Sequence, residues 1–163
     1  MLTACQDWDI DTFDFNSAYL NGKLSDNKEI YMEELPGYET PGEDSVKRLQ
    51  KAIYGLKQAG RKWYNALTHV LTDIGFCVSS ADPRVFVAHK GEHVLILAAH
   101  VDDCIITSSS PQLIKEFKQK LHNCYALTDL SPVNWLLGIK VTQDHKAQTI
   151  SLSQESYIGS ILN

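Results

Sequence analysis

The chain has 163 residues, enough for one domain with a buried core. Its 44% hydrophobic and 21% charged residues are those of an ordinary globular protein, and no apolar run is long enough to span a bilayer. A net charge of −5 excludes a surface that is basic throughout. Cys5, Cys77, Cys104 and Cys124 lie far apart, with no C-x-x-C pair and no neighbouring histidines at zinc spacing, so reduced and partly buried thiols are expected.

The N-terminus, Met1 to Asp7, has neither the basic start nor the apolar stretch of a secretory signal, so an intracellular location is expected. Trp8 to Phe13 alternates and reads as a strand, with Asp7, Asp9 and Asp11 on the side opposite Trp8 and Ile10. Asp14 ends that strand and either caps the segment after it or presents a carboxylate there. Leu35 to Asp44 carries the Pro/Gly punctuation of a surface excursion, not of a boundary, and residues 1–163 read as a single domain. Charge is uneven along the chain. Of the 20 acidic residues, 11 fall within the first 44 positions, and none lies between Ser45 and Lys62. That window holds Lys47, Arg48, Lys51, Lys57, Arg61 and Lys62, which could follow a phosphate backbone or simply form a solvated face.

From Ala59 to Ile74, the residues Trp63, Ala66, Leu67, Val70, Leu71 and Ile74 recur at helical spacing, and Gly75 ends the helix. Val85 to Ala88, Val94 to Val101 and Cys104 to Thr107 are apolar runs of strand length. Ser110-Pro111 opens a second helix with a cap and a proline at the first helical position. It runs to Asn123, with Ile114, Phe117 and Leu121 inward and Lys115, Lys118 and Lys120 outward. Strands are expected over Trp135–Thr142 and Thr149–Leu152, and a short helix over Ser153–Leu162. Hairpins mixed with helices in this way imply an α+β domain, an antiparallel sheet with helices packed on one face.

The pattern breaks at Asp102-Asp103, where two buried-looking strands meet. A tight hairpin wants Asn-Gly or Asp-Gly, whereas two neighbouring aspartates repel each other beside an apolar core. A divalent cation would resolve the conflict, since two carboxylates are hard oxygen ligands of the kind magnesium takes along with substrate phosphates. If the first strand lies beside the hairpin, Asp14 and Asp102 face each other and could hold two such ions.

At this point the sequence resembles a known family. Trp8-x-Ile-Asp-x-x-Asp14-x-x-x-Ala-Tyr-Leu-Asn-Gly22 resembles the first catalytic block of copia-type reverse transcriptases, found in long-terminal-repeat retrotransposons. Glu29-Ile-Tyr-Met-Glu33, Pro36-Gly37, Leu49, Ala52-Ile-Tyr-Gly-Leu-Lys-Gln-Ala59 and Arg61-Lys-Trp-Tyr64 continue it. Gly75-Phe76, Ser79 or Ser80, Asp82, Val101-Asp102-Asp103, Leu137-Gly138-Ile139 and Leu152-Ser-Gln-x-x-Tyr-Ile158 follow in order. The resemblance covers almost the whole chain, and the Tyr-Gly-Leu-Lys-Gln-Ala-x-Arg and Val-Asp-Asp blocks are specific.

The resemblance implies a polymerase palm and RNA-directed DNA synthesis. Asp14 and Asp102 would bind two Mg2+ ions (Mn2+ as an alternative), helped by the Phe15 carbonyl, and Asp103 would complete the catalytic carboxylates. Phe15, Asn16, Ser17, Ala18, Tyr19 and Gln58 would line the incoming deoxynucleoside triphosphate, with the Tyr19 ring excluding a 2′-hydroxyl. Arg61 and Lys62 would meet template or nucleotide phosphates, and His100, Trp135 and Gly138 would help hold the primer end. His100 stands where the family usually has tyrosine, and Gly60 replaces a usual proline.

The implied partners are an RNA or DNA template with its primer and the remaining polyprotein domains, integrase and RNase H, in cytoplasmic virus-like particles and with no membrane. The family also has fingers upstream of Trp8 and a thumb or connection downstream. The expected domain is therefore a palm truncated at both ends, with weak or no activity in isolation. The competing expectation is a non-catalytic retroelement remnant that at most binds nucleic acid or a partner protein; the short ends and His100 favour it, and the three aspartates favour the enzyme.

Overall fold

A computed structural model describes residues 1–24, 29–38 and 46–162. In chain order these form α1 (Leu2–Cys5), β1 (Ile10–Phe15), a 3-10 turn (Ala18–Asn21), β2 (Tyr31–Glu33), β3 (Val46–Arg48) and α2 (Ala59–Asp73). Then come β4 (Cys77–Val78), β5 (Val85–Lys90), β6 (His93–His100), β7 (Asp103–Ser108), α3 (Pro111–His122) and β8 (Leu127–Asp129). The last elements are β9 (Trp135–Leu136), β10 (Ile139–Asp144), β11 (Thr149–Ser153) and α4 (Glu155–Leu162). The chain is thus α+β with antiparallel sheets, as the hairpin-rich pattern implies. Among the described residues, no helix is long and apolar enough to cross a membrane.

Two compact units divide it, Met1–Asn16 with Thr68–Asn163, and Ser17–Leu67. The first holds a six-stranded sheet in the order β4-β5-β6-β7-β1-β8, every neighbouring pair antiparallel. It also holds a three-stranded sheet, β11-β10-β9. Alternation along the central strands sends Phe13, Phe15, Phe86, Leu97, Cys104 and Ile106 to one face, where all are buried. Helix α3 covers that face with Ile114, Phe117 and Leu121, and Phe117 packs on Phe76 at 4.7 Å between ring centroids. Each such side chain contributes about 1.5–3 kcal/mol by leaving water, so this layer sets the placement of β1 and β7.

Helix α2 stops where Gly75 takes φ +104°. The Gly75 N–H donates to the Thr72 carbonyl (3.0 Å) and the Phe76 N–H to that of Leu71 (2.9 Å), the paired bonds of a Schellman stop. The second unit contains the ribbon β2–β3 and the first half of α2. Leu35-Pro36-Gly37-Tyr38 closes a turn with Gly37 at φ +87° and the Tyr38 N–H on the Leu35 carbonyl. Residues 39–44 of the expected surface excursion lie outside the described residues, as does Ser45 of the basic window.

Several expectations need correction. Strand β1 starts at Ile10 and runs through Asp14 to Phe15, so Asp14 is a strand residue rather than a strand end or a helix cap. Trp135–Thr142 is two strands, broken by Leu137 (φ +50°) and Gly138 (φ +77°); positive φ at both positions makes a two-residue hairpin turn. Ser110 holds the N-cap position, but its hydroxyl makes no capping bond. Among the cysteines only Cys104 is buried. Lys118 points inward, because it lies four residues after Ile114 and three before Leu121 on the same helical stripe.

Candidate active site

Strand β1 is anchored from behind. Phe13 and Phe15 are each 1% exposed, meet edge-to-face at 5.5 Å, and Phe15 repeats that contact with Tyr125 at 5.6 Å. With both rings locked into the core, alternation leaves Asp14 on the opposite face. Register then sets Asp14 directly across from Asp103, and Asp103 directly across from His100. The Phe15 N–H donates to the Asp102 carbonyl at 3.0 Å, which ties the end of β1 to the hairpin turn.

The turn between β6 and β7 is Val101-Asp102, so the loop is centred one residue earlier than the Asp-Asp pair, and Asp103 opens β7. Val101 takes φ +61°. A β-branched residue in the left-handed region is strained by about 1–3 kcal/mol, and such strain collects at functional sites. The surrounding ladder holds it there, with Ala99 opposite Cys104 and His100 opposite Asp103.

Electrostatics show that Asp14 feels the two aspartates of the hairpin. Burial, then repulsion from Asp102 and Asp103, pushes the Asp14 pKa above the usual carboxylate range. Burial and the same carboxylates drive the Cys104 thiol far up, so it stays protonated behind the group. Even so, among the described residues no three or more His, Cys, Asp or Glu side chains converge to hold a metal ion. Carboxylate oxygens are the donor chemistry that magnesium takes.

The remaining residues singled out by resemblance divide between the units. Asn16 closes the first segment of the carboxylate-bearing unit; its N–H donates to the Ala126 carbonyl (3.0 Å) and its side-chain carbonyl accepts from the Thr128 hydroxyl (2.9 Å). His100 is exposed at the end of β6. Trp135, 51% exposed, and Gly138 lie in the same unit but in the separate three-stranded sheet.

Ser17, Ala18, Tyr19, Gln58, Arg61 and Lys62 belong to the other unit. There Ser17 takes φ +54°, Ala18 is buried, and Tyr19 is half-buried with its ring 4.4 Å from that of Tyr54. Gln58 immediately precedes α2 and accepts the Lys62 N–H at 3.0 Å through its backbone carbonyl. Arg61 is exposed on α2. In the basic window, Lys47 pairs with Glu34 at 2.5 Å and Arg48 with Glu29 at 3.2 Å, so part of that charge is spent within the ribbon.

Sequence reasoning missed Tyr54, whose only signal was its place in the Tyr-Gly-Leu-Lys-Gln-Ala block. It also missed the partners of Lys118. Position 118 on the Ile114–Leu121 stripe was the available clue, together with Asp11 sharing the Phe13 side of β1.

A family model described as reverse transcriptase (RNA-dependent DNA polymerase) matches residues 1–163. The chain is similar to the Retrovirus-related Pol polyprotein from transposon TNT 1-94 of Nicotiana tabacum, 34% identical over 163 residues, covering 99% of this chain and 12% of the relative. It is also similar to the corresponding polyprotein from transposon RE2 of Arabidopsis thaliana, 36% identical over 156 residues, covering 95% of this chain and 10% of that one. The putative transposon Ty5-1 protein of Saccharomyces cerevisiae is 30% identical over 147 residues, covering 90% of this chain and 47% of the yeast protein.

Proposed function

The chain belongs to the reverse transcriptase (RNA-dependent DNA polymerase) family, and from that premise we propose that it is the palm of a transposon polyprotein's RNA-directed DNA polymerase, adding deoxynucleotides to a primer on an RNA or DNA template. One observation carries this reading: Asp14 stands across from Asp103, beside a strained turn that contains Asp102, and burial together with repulsion from those two aspartates raises the Asp14 pKa. An unfavourable grouping held in place by the fold is what a cation-dependent site needs before the cation arrives.

Asp14, Asp102, Asp103 and the Phe15 carbonyl are the oxygens that would hold two magnesium ions, with manganese an alternative. When bound, such ions activate the primer hydroxyl and steady the leaving pyrophosphate. The protein's own groups do the rest. Within the second unit, Ser17, Ala18, Tyr19 and Gln58 would line the nucleotide, and the Tyr19 ring, buttressed by Tyr54, would exclude the 2′-hydroxyl. Arg61 and Lys62 meet phosphates, while His100, Trp135 and Gly138 hold the primer end.

Both compact units form one polymerase domain, a reading supported by the single family model that spans them. The plant relatives carry the matched stretch as about a tenth of their length. In this reading other polyprotein domains, integrase and RNase H among them, act beside it in cytoplasmic particles, and the chain alone extends primers weakly.

Primer extension on poly-rA with magnesium tests the reading. Short products that vanish in Asp102→Asn are expected. Products that persist in Asp102→Asn, or no products together with no binding of Mn2+, would overturn it. The incomplete convergence of the carboxylates favours a second reading, a non-catalytic remnant that binds nucleic acid, and the last outcome would select it.

A further inference from the structure

Behind the carboxylate face lies a second charged cluster to which the proposed reaction assigns nothing. The Lys118 side chain is 9% exposed, and its Nζ donates to Asp11 Oδ2 at 2.6 Å, to Asp129 Oδ1 at 2.9 Å and Oδ2 at 3.1 Å, and to Ser131 Oγ at 2.5 Å. Ser131 passes the connection on, donating its hydroxyl to the Thr12 carbonyl at 3.2 Å. One buried cation thus joins α3, β1, β8 and the loop that follows β8.

Strand β8 has three residues, stands at the sheet edge and, among the described residues, pairs with β1 alone. The loop after it adds backbone bonds from Leu130 to the Thr12 carbonyl (3.0 Å) and from Val133 to that of Ile10 (3.1 Å), and Lys118 adds a side-chain tie on the same edge. The β8 register puts Thr128 across from Asp14 and Asp129 across from Phe13. Thr128 and Ala126 also hold the Asn16 side chain and N–H. The flank of Asp14 that β7 does not cover is therefore β8. Without Lys118, the Asp11 and Asp129 carboxylates would remain on the same face of neighbouring strands with no cation between them, and repulsion would push β8 off β1.

We infer that Lys118 is a positioning residue for Asp14: from the back of the sheet it locks β8 against β1 and so fixes the strand that presents the carboxylate. The inference rests on the carboxylate-centred reading above. It acts through two strands and touches no substrate. Its signature is local loosening of the β1–β8 pairing, together with weaker divalent binding on the opposite face.

The test measures Mn2+ binding by water-proton relaxation and site-resolved amide hydrogen exchange on the full chain. Wild type, Lys118→Met, Asp129→Asn and Asp14→Asn are compared, with Asp129→Asn as the milder break should Lys118→Met fold poorly. Support requires that Mn2+ bind at least threefold more weakly to the Lys118 or Asp129 variant. In the same variant the Asn16 amide should exchange at least tenfold faster, while Phe15 and the β5–β6 amides stay as in wild type. Unchanged Mn2+ affinity overturns the inference, as does a uniform rise in exchange across the sheet, which marks Lys118 as a general stabiliser. If wild type and Asp14→Asn bind Mn2+ equally, or wild type binds none, the carboxylate reading falls and takes this inference with it.

Discussion

Asp14→Asn probes the electrostatics of the carboxylate group while leaving its packing in place. Asp14 stands directly across from Asp103, and its pKa is raised by burial and by repulsion from Asp102 and Asp103. Directly opposed residues of an antiparallel pair have Cβ atoms about 5 Å apart, and at that separation two unit charges in water repel by about 0.8 kcal/mol. Asp14 is partly exposed, and solvent screening keeps the repulsion near the water value. Removing its charge is expected to stabilise the metal-free protein by about 0.5–1 kcal/mol, a rise in Tm of about 1–4 °C for a chain of this size. The sign follows from linkage. A carboxylate with a raised folded-state pKa costs stability while ionised, and the cost disappears as pH falls through that value. The two proteins should therefore differ at neutral pH and converge well below 3.8, the ordinary value, where the carboxyl is protonated in both states. Magnesium should invert the order: at ten times its Kd it adds about 1.4 kcal/mol to wild type, about 3–6 °C, and nothing to the variant. Thermal melts with and without magnesium supply the comparison. A variant that melts below wild type without metal, or gains as much from magnesium, refutes the reasoning.

Two further outcomes concern the framework. A Cβ at Gly22 would stand 3.0 Å from the Lys62 Cβ and 3.1 Å from the backbone at Lys62 and Trp63, so Gly22→Ala should cost about 1–3 kcal/mol and lower the urea midpoint at constant slope; an unchanged midpoint would mean that the segment and α2 separate freely. Burial works against the Asp129 carboxylate, but hydrogen bonds from Lys118 and Ser131 outweigh it and hold its pKa below 3.8. The stability this contributes is present above the unfolded value and lost as pH falls through the lower folded one, so Asp129→Asn should flatten the acid limb of a urea-unfolding series, and parallel profiles for the two proteins would contradict it.

Much of the frame was legible because it rests on local chemistry. The α2 stripe and its Gly75 stop, the three apolar strands, and the turn at Pro36-Gly37 all follow from periodicity and backbone freedom. The carboxylate hairpin was legible as a conflict, and the conflict is real, although its strain falls on Val101 rather than on the aspartates. Asp14 was placed only with help from the resemblance. Nothing within ten residues of it says that β7 will pair alongside. Lys118 was misread because its charge outweighed its position on the helix, and its partners Asp11 and Asp129 lie 107 and 11 residues away in sequence. The break at Leu137-Gly138 was hidden by a leucine in a left-handed conformation, which composition disfavours. The division into two units was not legible either, since it falls inside the continuous helix α2.

Strand β1 also carries a consequence for how the molecule comes into being. Strands β5, β6 and β7 follow one another through two-residue turns and can pair as soon as they are made. Strand β1 is the second element of the chain, yet its partner β7 lies about ninety residues downstream, and β8 later still. At about 5–20 residues per second, a growing chain would hold β1 unpaired for roughly 5–20 s. Its insertion closes the largest loop in the sheet, the slow kind of step in antiparallel folds. The aspartate on β1 therefore joins the other two only after their hairpin has formed, so that the site is assembled by a strand entering a sheet already half built, with β8 added outside it.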